Sequence, residues 1–231
     1  MTQNPEEIYE RIQNAKNKAG RTDKIFFTAV SKTRTADEMR EAEKKLSWID
    51  YFGENRVQEA ENKRNLYPES KIQWRLIGHL QNNKVRKALE VFDCIDSVDS
   101  IELALRLNKI AGELNKKMPI LIEVNTSGEE SKSGINPENF SELLDIVIQQ
   151  ENLKLDGLMT VGPLTDDERK IRKAFENLRN LSEYAREHTG LKLPVLSMGM
   201  SGDFELAILE GSTMVRIGTL LFGERFYPKR P

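Results

Sequence analysis

Two short turns late in the chain carry residue types that bind phosphate. Ser201 and Gly202 follow one short apolar strand, and Gly218 and Thr219 follow the next. Backbone N–H groups at a helix start, close approach at glycine and a nearby hydroxyl group together bind phosphate. Considered singly, Ser201 would cap a helix and Gly218 would form a tight turn. Considered together, the four residues predict a phosphate-binding cup.

A lysine at the end of a distant strand supplies a candidate nucleophile. Lys32 follows the apolar run 25–30 and shares its side of the strand with Phe26, Thr28 and Val30, because strand side chains alternate. A lysine on an apolar face loses hydration, which favours the neutral amine that attacks an aldehyde. Considered alone, Lys32 would instead extend its amine into solvent.

Arg216 adds a fixed positive charge beside the second turn, because arginine is not deprotonated in proteins. A strand-end lysine, a phosphate cup and an arginine together predict pyridoxal 5'-phosphate as the cofactor. Arg216 would donate a hydrogen bond to the pyridine nitrogen and keep that nitrogen unprotonated. The competing interpretation of Arg216 is an ion pair with Glu205 or Glu224.

Other polar residues follow predicted strands with weaker signals. Asn55 follows the second strand, where it could belong to the polar face of a helix start, and Asn125 follows the fifth. His79 follows the third strand, and we interpret it as a hydrogen-bonded strand-end histidine. Trp74 and Cys94 are predicted to be core residues.

Apolar runs alternate with charged runs of helical period along the chain. The predicted strands lie at 25–30, 50–53, 72–78, 92–98, 120–124, 155–161, 195–200 and 214–218. Strands that alternate with helices imply a parallel sheet. About eight such units fit a single-domain (β/α)8 TIM barrel, whose sites lie at the C-terminal ends of its strands. A doubly wound open sheet is the alternative.

Several helix boundaries carry their own signals. Thr35 and Thr165 each precede a glutamate by three positions, which is a capping-box pattern. Gly190 predicts the end of the helix that follows Thr165. Apolar stripes of helical period predict further helices at 101–114 and 140–148.

The composition is that of an ordinary globular protein and narrows its environment. Among 231 residues, Lys and Arg number 35 and Asp and Glu number 37, so the net charge of −2 gives no support for nucleic-acid binding. No apolar stretch could span a bilayer, and the N-terminus lacks signal-peptide features. The single cysteine, Cys94, suits a reducing compartment, and two histidines argue against a histidine-rich metal site. We expect a cytoplasmic, single-domain protein over residues 1–231.

Several stretches closely resemble the pyridoxal phosphate homeostasis protein family, a single-domain group similar to the N-terminal barrel domain of alanine racemase. These stretches are 29–32, 52–59, 78–84, 157–159, 197–203, 216–218 and 222–225. The resemblance implies that Lys32 carries the cofactor as an internal aldimine and that Arg216 faces the pyridine nitrogen. It also implies that the predicted cup holds the phosphate group and that Asn55 lies near the cofactor. Asp96 departs from the family pattern without touching the lysine.

Two functions suit such a barrel. One is a non-catalytic protein that stores, buffers or delivers the cofactor, with apoenzymes that depend on pyridoxal phosphate as candidate recipients. The other is an amino-acid racemase, which needs an acid/base group on each face of the substrate's α-carbon. In alanine racemase-like enzymes, a tyrosine from a second domain of a partner subunit serves one face, and this chain ends where that domain would begin. No tyrosine of this chain has an obvious placement for that role: Tyr9, Tyr51, Tyr67, Tyr184 and Tyr227.

We therefore predict a homeostasis protein rather than an enzyme, without nucleic-acid or membrane partners. The absence of the second domain removes the usual racemase dimer contact, so we expect a monomer. A third function comes from another class, since barrel aldolases use a Schiff-base lysine without any cofactor and bind phosphorylated substrates. Colour distinguishes a protein that binds pyridoxal phosphate from such an aldolase, because a pyridoxal phosphate adduct of lysine is yellow and a cofactor-free aldolase is colourless.

Overall fold

Eight parallel strands close into a barrel in the computed structural model, which describes residues 5–129 and 132–224. The strands are β1 Phe26–Val30, β2 Tyr51–Glu54, β3 Gln73–Leu76, β4 Cys94–Val98, β5 Met118–Glu123, β6 Leu153–Met159, β7 Val195–Ser197 and β8 Met214–Ile217. Each strand pairs with the next, and β8 returns to pair with β1. The predicted TIM barrel is confirmed, and the doubly wound alternative, which has open edges, is wrong. All eight strands lie where they were predicted, with boundaries that differ by a few residues.

Helices surround the barrel. Those of the described residues are α1 Pro5–Lys18, α2 Ala36–Lys45, α3 Val57–Leu66, α4 Val85–Val91, α5 Ile101–Glu113, α6 Phe140–Ile148, α7 Glu168–Thr189, α8 Phe204–Leu209 and α9 Thr219–Phe222. The first helix, α1, lies against α8 through a salt bridge between Arg11 and Glu205. Within the two described ranges, no helix is both long and apolar enough to cross a membrane.

The predicted helix signals were right at one capping box and wrong at the other. Thr35 accepts a hydrogen bond from the backbone N–H of Glu38, whose carboxylate accepts one from the N–H of Thr35, so the first box is confirmed. At α7 the cap is Asp167, and the Thr165 hydroxyl accepts a hydrogen bond from the Asp167 N–H. The nearer Asp167 carboxylate displaces threonine from the capping role, and α7 begins later than predicted. Gly190 ends α7 with a φ of 69°, as predicted.

The interior of the barrel is layered. Phe26, Tyr51, Leu121, Met159, Val195 and Met214 form an apolar cluster. Two residues farther along four of these strands, on the same side, stand Thr28, Glu123, Ser197 and Arg216. All four polar residues are buried. An apolar layer therefore lies beneath a polar layer, which in turn lies beneath the C-terminal mouth of the barrel.

Gly157 makes the close approach of β6 to β7 possible. Its φ is 154°, and a Cβ atom at this position would lie 1.8 Å from the carbonyl oxygen of Val195. Any side chain would therefore force the two strands apart. Gly157 belongs to one of the stretches that carry the family resemblance. The close contact with Val195 explains why this position requires glycine.

Candidate functional site

A cavity of about 380 Å³ opens at the C-terminal mouth of the barrel. All seven predicted site residues line it: Lys32, Asn55, Ser201, Gly202, Arg216, Gly218 and Thr219. Apolar side chains complete the wall: Val30, Ile77, Val161 and Met200. Among these described lining residues there is no Asp or Glu. The cavity thus combines an amine, a guanidinium group and two hydroxyl groups without an acidic neighbour in its wall.

Lys32 lies in a tight turn that follows β1. The strand ends at Val30, so Lys32 stands two residues beyond its end rather than at it. The Ser31 N–H donates to the Gly53 carbonyl at 3.0 Å, and the Ser31 carbonyl accepts from the Arg34 N–H at 2.9 Å. Because the chain turns here, the partly buried Lys32 side chain reaches the mouth of the barrel.

The two predicted phosphate-binding turns lie side by side. The Ser201 hydroxyl is 3.5 Å from the backbone nitrogen of Leu220, so one turn touches the other. Asp203 occupies the capping position of α8, and Ser201 does not cap that helix. A Cβ atom added to Gly202 would meet no atom within 4 Å. The backbone at Gly202 is therefore bare and accessible beside the Ser201 hydroxyl.

Gly218 brings the second turn against β1. A Cβ atom at this position would lie 3.1 Å from the carbonyl oxygen and 3.2 Å from the Cβ atom of Val30. Glycine allows the backbone after β8 to approach β1 closely, and Thr219 follows at the start of α9. Lys32 and Thr219, which are distant in sequence, consequently line one cavity.

Arg216 is buried in the polar layer, with 3% of its surface exposed. Its two terminal nitrogens donate to the Ser197 hydroxyl at 2.7 Å and to the Thr160 carbonyl at 2.8 Å. The predicted alternative of an ion pair with Glu205 is wrong, because Glu205 binds Arg11. Burial lowers the pKa of Arg216 from its ordinary value, although arginine retains its charge at neutral pH. A cation held by neutral acceptors therefore lies at the cavity floor.

Asn55 depends on a neighbouring glycine for its place. A Cβ atom at Gly78 would lie 2.5 Å from the Asn55 carbonyl oxygen, so only glycine fits there. His79 does not line the mouth cavity, and its Nδ1 atom lies 3.2 Å from a carboxylate oxygen of Asp99. Asn125 donates to the Glu129 carbonyl at 2.8 Å within the loop after β5. The interpretation of His79 as a hydrogen-bonded histidine is confirmed.

The sequence patterns assigned no role to three charged residues inside the barrel. Glu123 is buried at the end of β5, and burial raises the pKa of its carboxyl group to about 7. Its Oε2 atom has no hydrogen-bond partner among the described residues. Arg75 donates from two nitrogens to both carboxylate oxygens of Asp96, at 2.9 and 2.8 Å. Asp96 had been noted only as a departure from the family pattern, and its pairing with Arg75 gives that departure a structural role.

The tyrosines lie elsewhere. Tyr51 belongs to the apolar layer, and the Tyr67 hydroxyl donates to Glu43 at 2.5 Å. Tyr9 and Tyr184 are exposed on α1 and α7. None of these four described tyrosines lines the mouth cavity, and Tyr227 lies outside the described residues.

Comparison with known proteins decides the family. A sequence model of the alanine racemase N-terminal domain family matches residues 4–226. The chain belongs to this family.

Within it, the chain groups with the pyridoxal phosphate homeostasis proteins, as the sequence stretches predicted. A protein of that name from Aquifex aeolicus is 42% identical over 95% of this chain and 96% of its own length. Another from Vibrio cholerae is 39% identical over 99% of this chain and 98% of its own length. These relatives are named as homeostasis proteins and not as racemases.

Solved structures agree on the architecture. PipY from Synechococcus elongatus, whose structure was determined with pyridoxal phosphate bound, is 37% identical with a TM-score of 0.81. The match covers 93% of this chain and 99% of PipY. An alanine racemase from Clostridium difficile is 20% identical with a TM-score of 0.74, covering 96% of this chain and 56% of the racemase. At that identity, the racemase shares the fold alone.

Proposed function

We propose that this protein binds pyridoxal 5'-phosphate in the mouth cavity and stores, buffers or delivers it within the cell. The observation that carries the proposal is the convergence of Lys32, Arg216 and the two phosphate-type turns on one cavity whose described wall contains no acidic residue. Such a wall accepts an anion that also carries an aldehyde and a ring acceptor. The names of the close relatives and the ligand of PipY support the same assignment.

Each residue then has a distinct task. When bound, the cofactor supplies an aldehyde that condenses with a primary amine. Lys32 provides that amine and the point of covalent attachment. Ser201, Gly202, Gly218 and Thr219 hold the phosphate group through hydroxyl and backbone N–H donors. Arg216 donates to the ring nitrogen from the cavity floor, and Asn55 flanks the ring.

The racemase alternative lacks a necessary part. Racemisation needs an acid/base group on both faces of the α-carbon. No described tyrosine lines the cavity, so beyond Lys32 the described wall offers no group of the usual type for the second face. We therefore propose a binding protein without catalytic activity.

The proposal extends to the setting of the protein. We propose a monomer that forms a single domain over residues 1–231 and acts in the cytoplasm. Its single cysteine, Cys94, is buried and free, which suits a reducing compartment. Apoenzymes that depend on pyridoxal phosphate are the recipients we propose, because an exchangeable adduct at an open barrel mouth allows transfer.

The deciding experiment is an absorption spectrum of the purified protein with added pyridoxal phosphate, before and after borohydride reduction, followed by peptide mapping. We expect a yellow protein and a reduced pyridoxyl adduct on Lys32. Lys32→Ala should fold normally and carry no adduct. A protein that stays colourless and unmodified would refute the proposal and favour the cofactor-free aldolase.

A second measurement separates binding protein from racemase. The loaded protein is incubated with single L-amino acids in deuterium oxide. We expect neither loss of chirality nor deuterium at the α-carbon. Deuterium incorporation that disappears in Lys32→Ala would establish racemase chemistry instead.

A further inference from the structure

A buried ion cluster lies directly beneath the turn that carries Lys32. Lys63 of α3 is 8% exposed and donates to three oxygens. These are Glu54 Oε1 at 2.7 Å, Glu59 Oε1 at 2.6 Å and the Ser31 carbonyl at 2.8 Å. An ammonium group has three donors, so the hydrogen-bonding capacity of Lys63 is fully used.

The cluster binds both peptide groups that flank Lys32. The carbonyl of the preceding peptide belongs to Ser31 and accepts from Lys63. The N–H of the following peptide belongs to Thr33 and donates to Glu59 Oε1 at 2.6 Å. The same Glu59 oxygen accepts from Lys63, so the two contacts are linked through one atom. The backbone of Lys32 is thereby held on both sides.

The turn needs such support because its backbone is unfavourable. Thr33 has a φ of 67°, in the left-handed region that β-branched residues avoid. The Ser31 hydroxyl adds a further contact to Glu54 at 2.7 Å. Rotation of either flanking peptide would swing the Lys32 stem away from the cavity. A turn that is strained at Thr33 therefore persists through contacts made outside it.

The composition of the cluster favours a role in geometry over one in stability. Glu54 is fully buried, its Oε2 atom has no described partner, and burial raises the pKa of its carboxyl group. A buried ion pair often contributes little more to stability than a well-packed apolar pair would. The directional contacts to Ser31 and Thr33 are what an apolar cluster could not supply.

We propose that Lys63, together with Glu54 and Glu59, is a positioning residue that sets the placement of the Lys32 amine. The inference deepens the proposed function and rests on it for the identity of the adduct. Its direct consequence concerns the rate of covalent attachment, since misplacing a reacting group by about 1 Å can cost about 100-fold. The phosphate-binding turns, which follow β7 and β8, are not part of the cluster.

The test compares Lys63→Met with the wild-type protein in three measurements. The first is the rate of adduct formation with pyridoxal phosphate, followed by absorbance and borohydride trapping. The second is the affinity for pyridoxamine phosphate, which has no aldehyde and reports the cavity alone. The third is the hydrogen-exchange rate of the Thr33 amide in the protein without any ligand. We expect attachment slowed about tenfold or more, affinity for pyridoxamine phosphate within about twofold, and faster Thr33 exchange.

Arg179→Met is the matched control. Arg179 also donates to a carboxylate and a carbonyl, the Glu210 side chain at 2.7 Å and the Glu210 backbone at 3.0 Å. Neither residue lines the mouth cavity. This variant loses a partly buried ion pair away from the cavity, and we expect all three measurements to remain at wild-type values.

Glu59→Ala keeps the test valid if Lys63→Met does not fold. Glu59 is 28% exposed, and its removal leaves the pair of Lys63 and Glu54 intact. We expect slower attachment in Glu59→Ala and recovery in Glu59→Gln, which keeps an oxygen acceptor for the Thr33 N–H. Normal attachment rates in Lys63→Met and Glu59→Ala would overturn the inference. So would an equal loss of affinity for pyridoxamine phosphate, which would indicate general collapse of the cavity.

A wild-type protein that forms no adduct would instead refute the proposed function. In that case, the exchange rate of the Thr33 amide would still decide whether the cluster holds the turn.

Discussion

Two arginines inside the barrel are equally buried and differently paired. Arg75 is held by both oxygens of the Asp96 carboxylate and stacks over the Tyr51 ring, 4.8 Å from its centroid. Arg216 is held by a hydroxyl group and a carbonyl. Burial opposes the charge of Arg75, but the Asp96 carboxylate outweighs it and raises the pKa of Arg75. For Arg216, burial prevails and lowers the pKa.

The difference separates a structural cation from a binding cation. The charge of Arg75 is neutralised where it stands, so it stabilises the barrel and projects little potential. The charge of Arg216 has no carboxylate bound to it, and its potential extends into the cavity above, where water is partly excluded. An incoming anion or ring acceptor therefore meets Arg216 and not Arg75. Burial and residue type are alike, and the partner alone decides the role.

The largest expected effect comes from breaking the ion pair between Arg75 and Asp96. Arg75→Met leaves the Asp96 carboxylate buried without its partner, and we expect a loss of about 3–5 kcal/mol in the free energy of unfolding. Urea denaturation at pH 7 measures this loss. The double variant Arg75→Met/Asp96→Asn should recover part of it, because the uncompensated charge is gone. A loss below about 1 kcal/mol in the single variant would show that this buried pair contributes no more than an exposed ion pair does.

The next effect concerns Glu123, a buried acid that interacts with the charge of Arg216 without forming an ion pair with it. Burial raises the pKa of Glu123 to about 7 from 4.5. The folded protein keeps this proton up to about pH 7, whereas the unfolded chain releases it near pH 4.5. The free energy of unfolding should therefore fall as the pH rises from 4.5 to about 7 and stay at the lower value above that range. The total loss should be about 3 kcal/mol.

Glu123→Gln removes this titration. We expect the variant to be more stable than the wild-type protein at pH 8 and similar to it at pH 4.5. Urea denaturation across the pH range compares the two proteins. Parallel pH profiles would mean that Arg216 neutralises Glu123 after all, and the contrast between the two arginines would lose its basis.

A smaller loss of stability is expected at Arg216 itself. Arg216→Gln removes hydrogen bonds to neutral acceptors and breaks no direct ion pair, so the cost should be about 1–2 kcal/mol. Urea denaturation of Arg216→Gln and Arg75→Met under the same conditions tests whether Arg75→Met loses more stability.

A second substitution at this position tests the contact with the cofactor. In the protein loaded with pyridoxal phosphate, Arg216→Glu should shift the visible absorption band, because a carboxylate favours a protonated ring nitrogen. An unchanged band with the cofactor bound would place the ring nitrogen away from residue 216.

The smallest expected effect on stability comes from Gly218→Ala, which distinguishes phosphate binding by the turn from phosphate binding by Arg216. Gly218→Ala places a methyl group 3.1 Å from the Val30 carbonyl at a φ of −121°, which alanine tolerates. We expect a loss of stability below about 1 kcal/mol. Affinity for inorganic phosphate should fall several-fold, as measured by calorimetry. Unchanged affinity would assign the anion to Arg216 alone.

The sequence predicted the barrel, and it predicted residues that the structure brings to one cavity, because both depend on local rules. Apolar runs marked the strands, and the geometry of parallel barrels brought Lys32 and Gly218 to one end. The charged layer was different. Nothing local distinguishes Asp96, which meets Arg75 across a strand pair, from a solvated aspartate. The role of Lys63 depends on α3 packing beneath the turn after β1, a contact between elements that no spacing rule encodes.

The closure of the barrel between β1 and β8 links ligand binding to folding. Lys32 stands on one side of this seam and Gly218 and Thr219 on the other, so only the closed barrel presents the complete site. A ligand at 100 times its dissociation constant would add about 2.7 kcal/mol to the closed form. If the seam opened, β1 and β8 would become free sheet edges, which pair readily with other chains. Occupancy of the mouth would thus protect the protein against aggregation as well as fill its site.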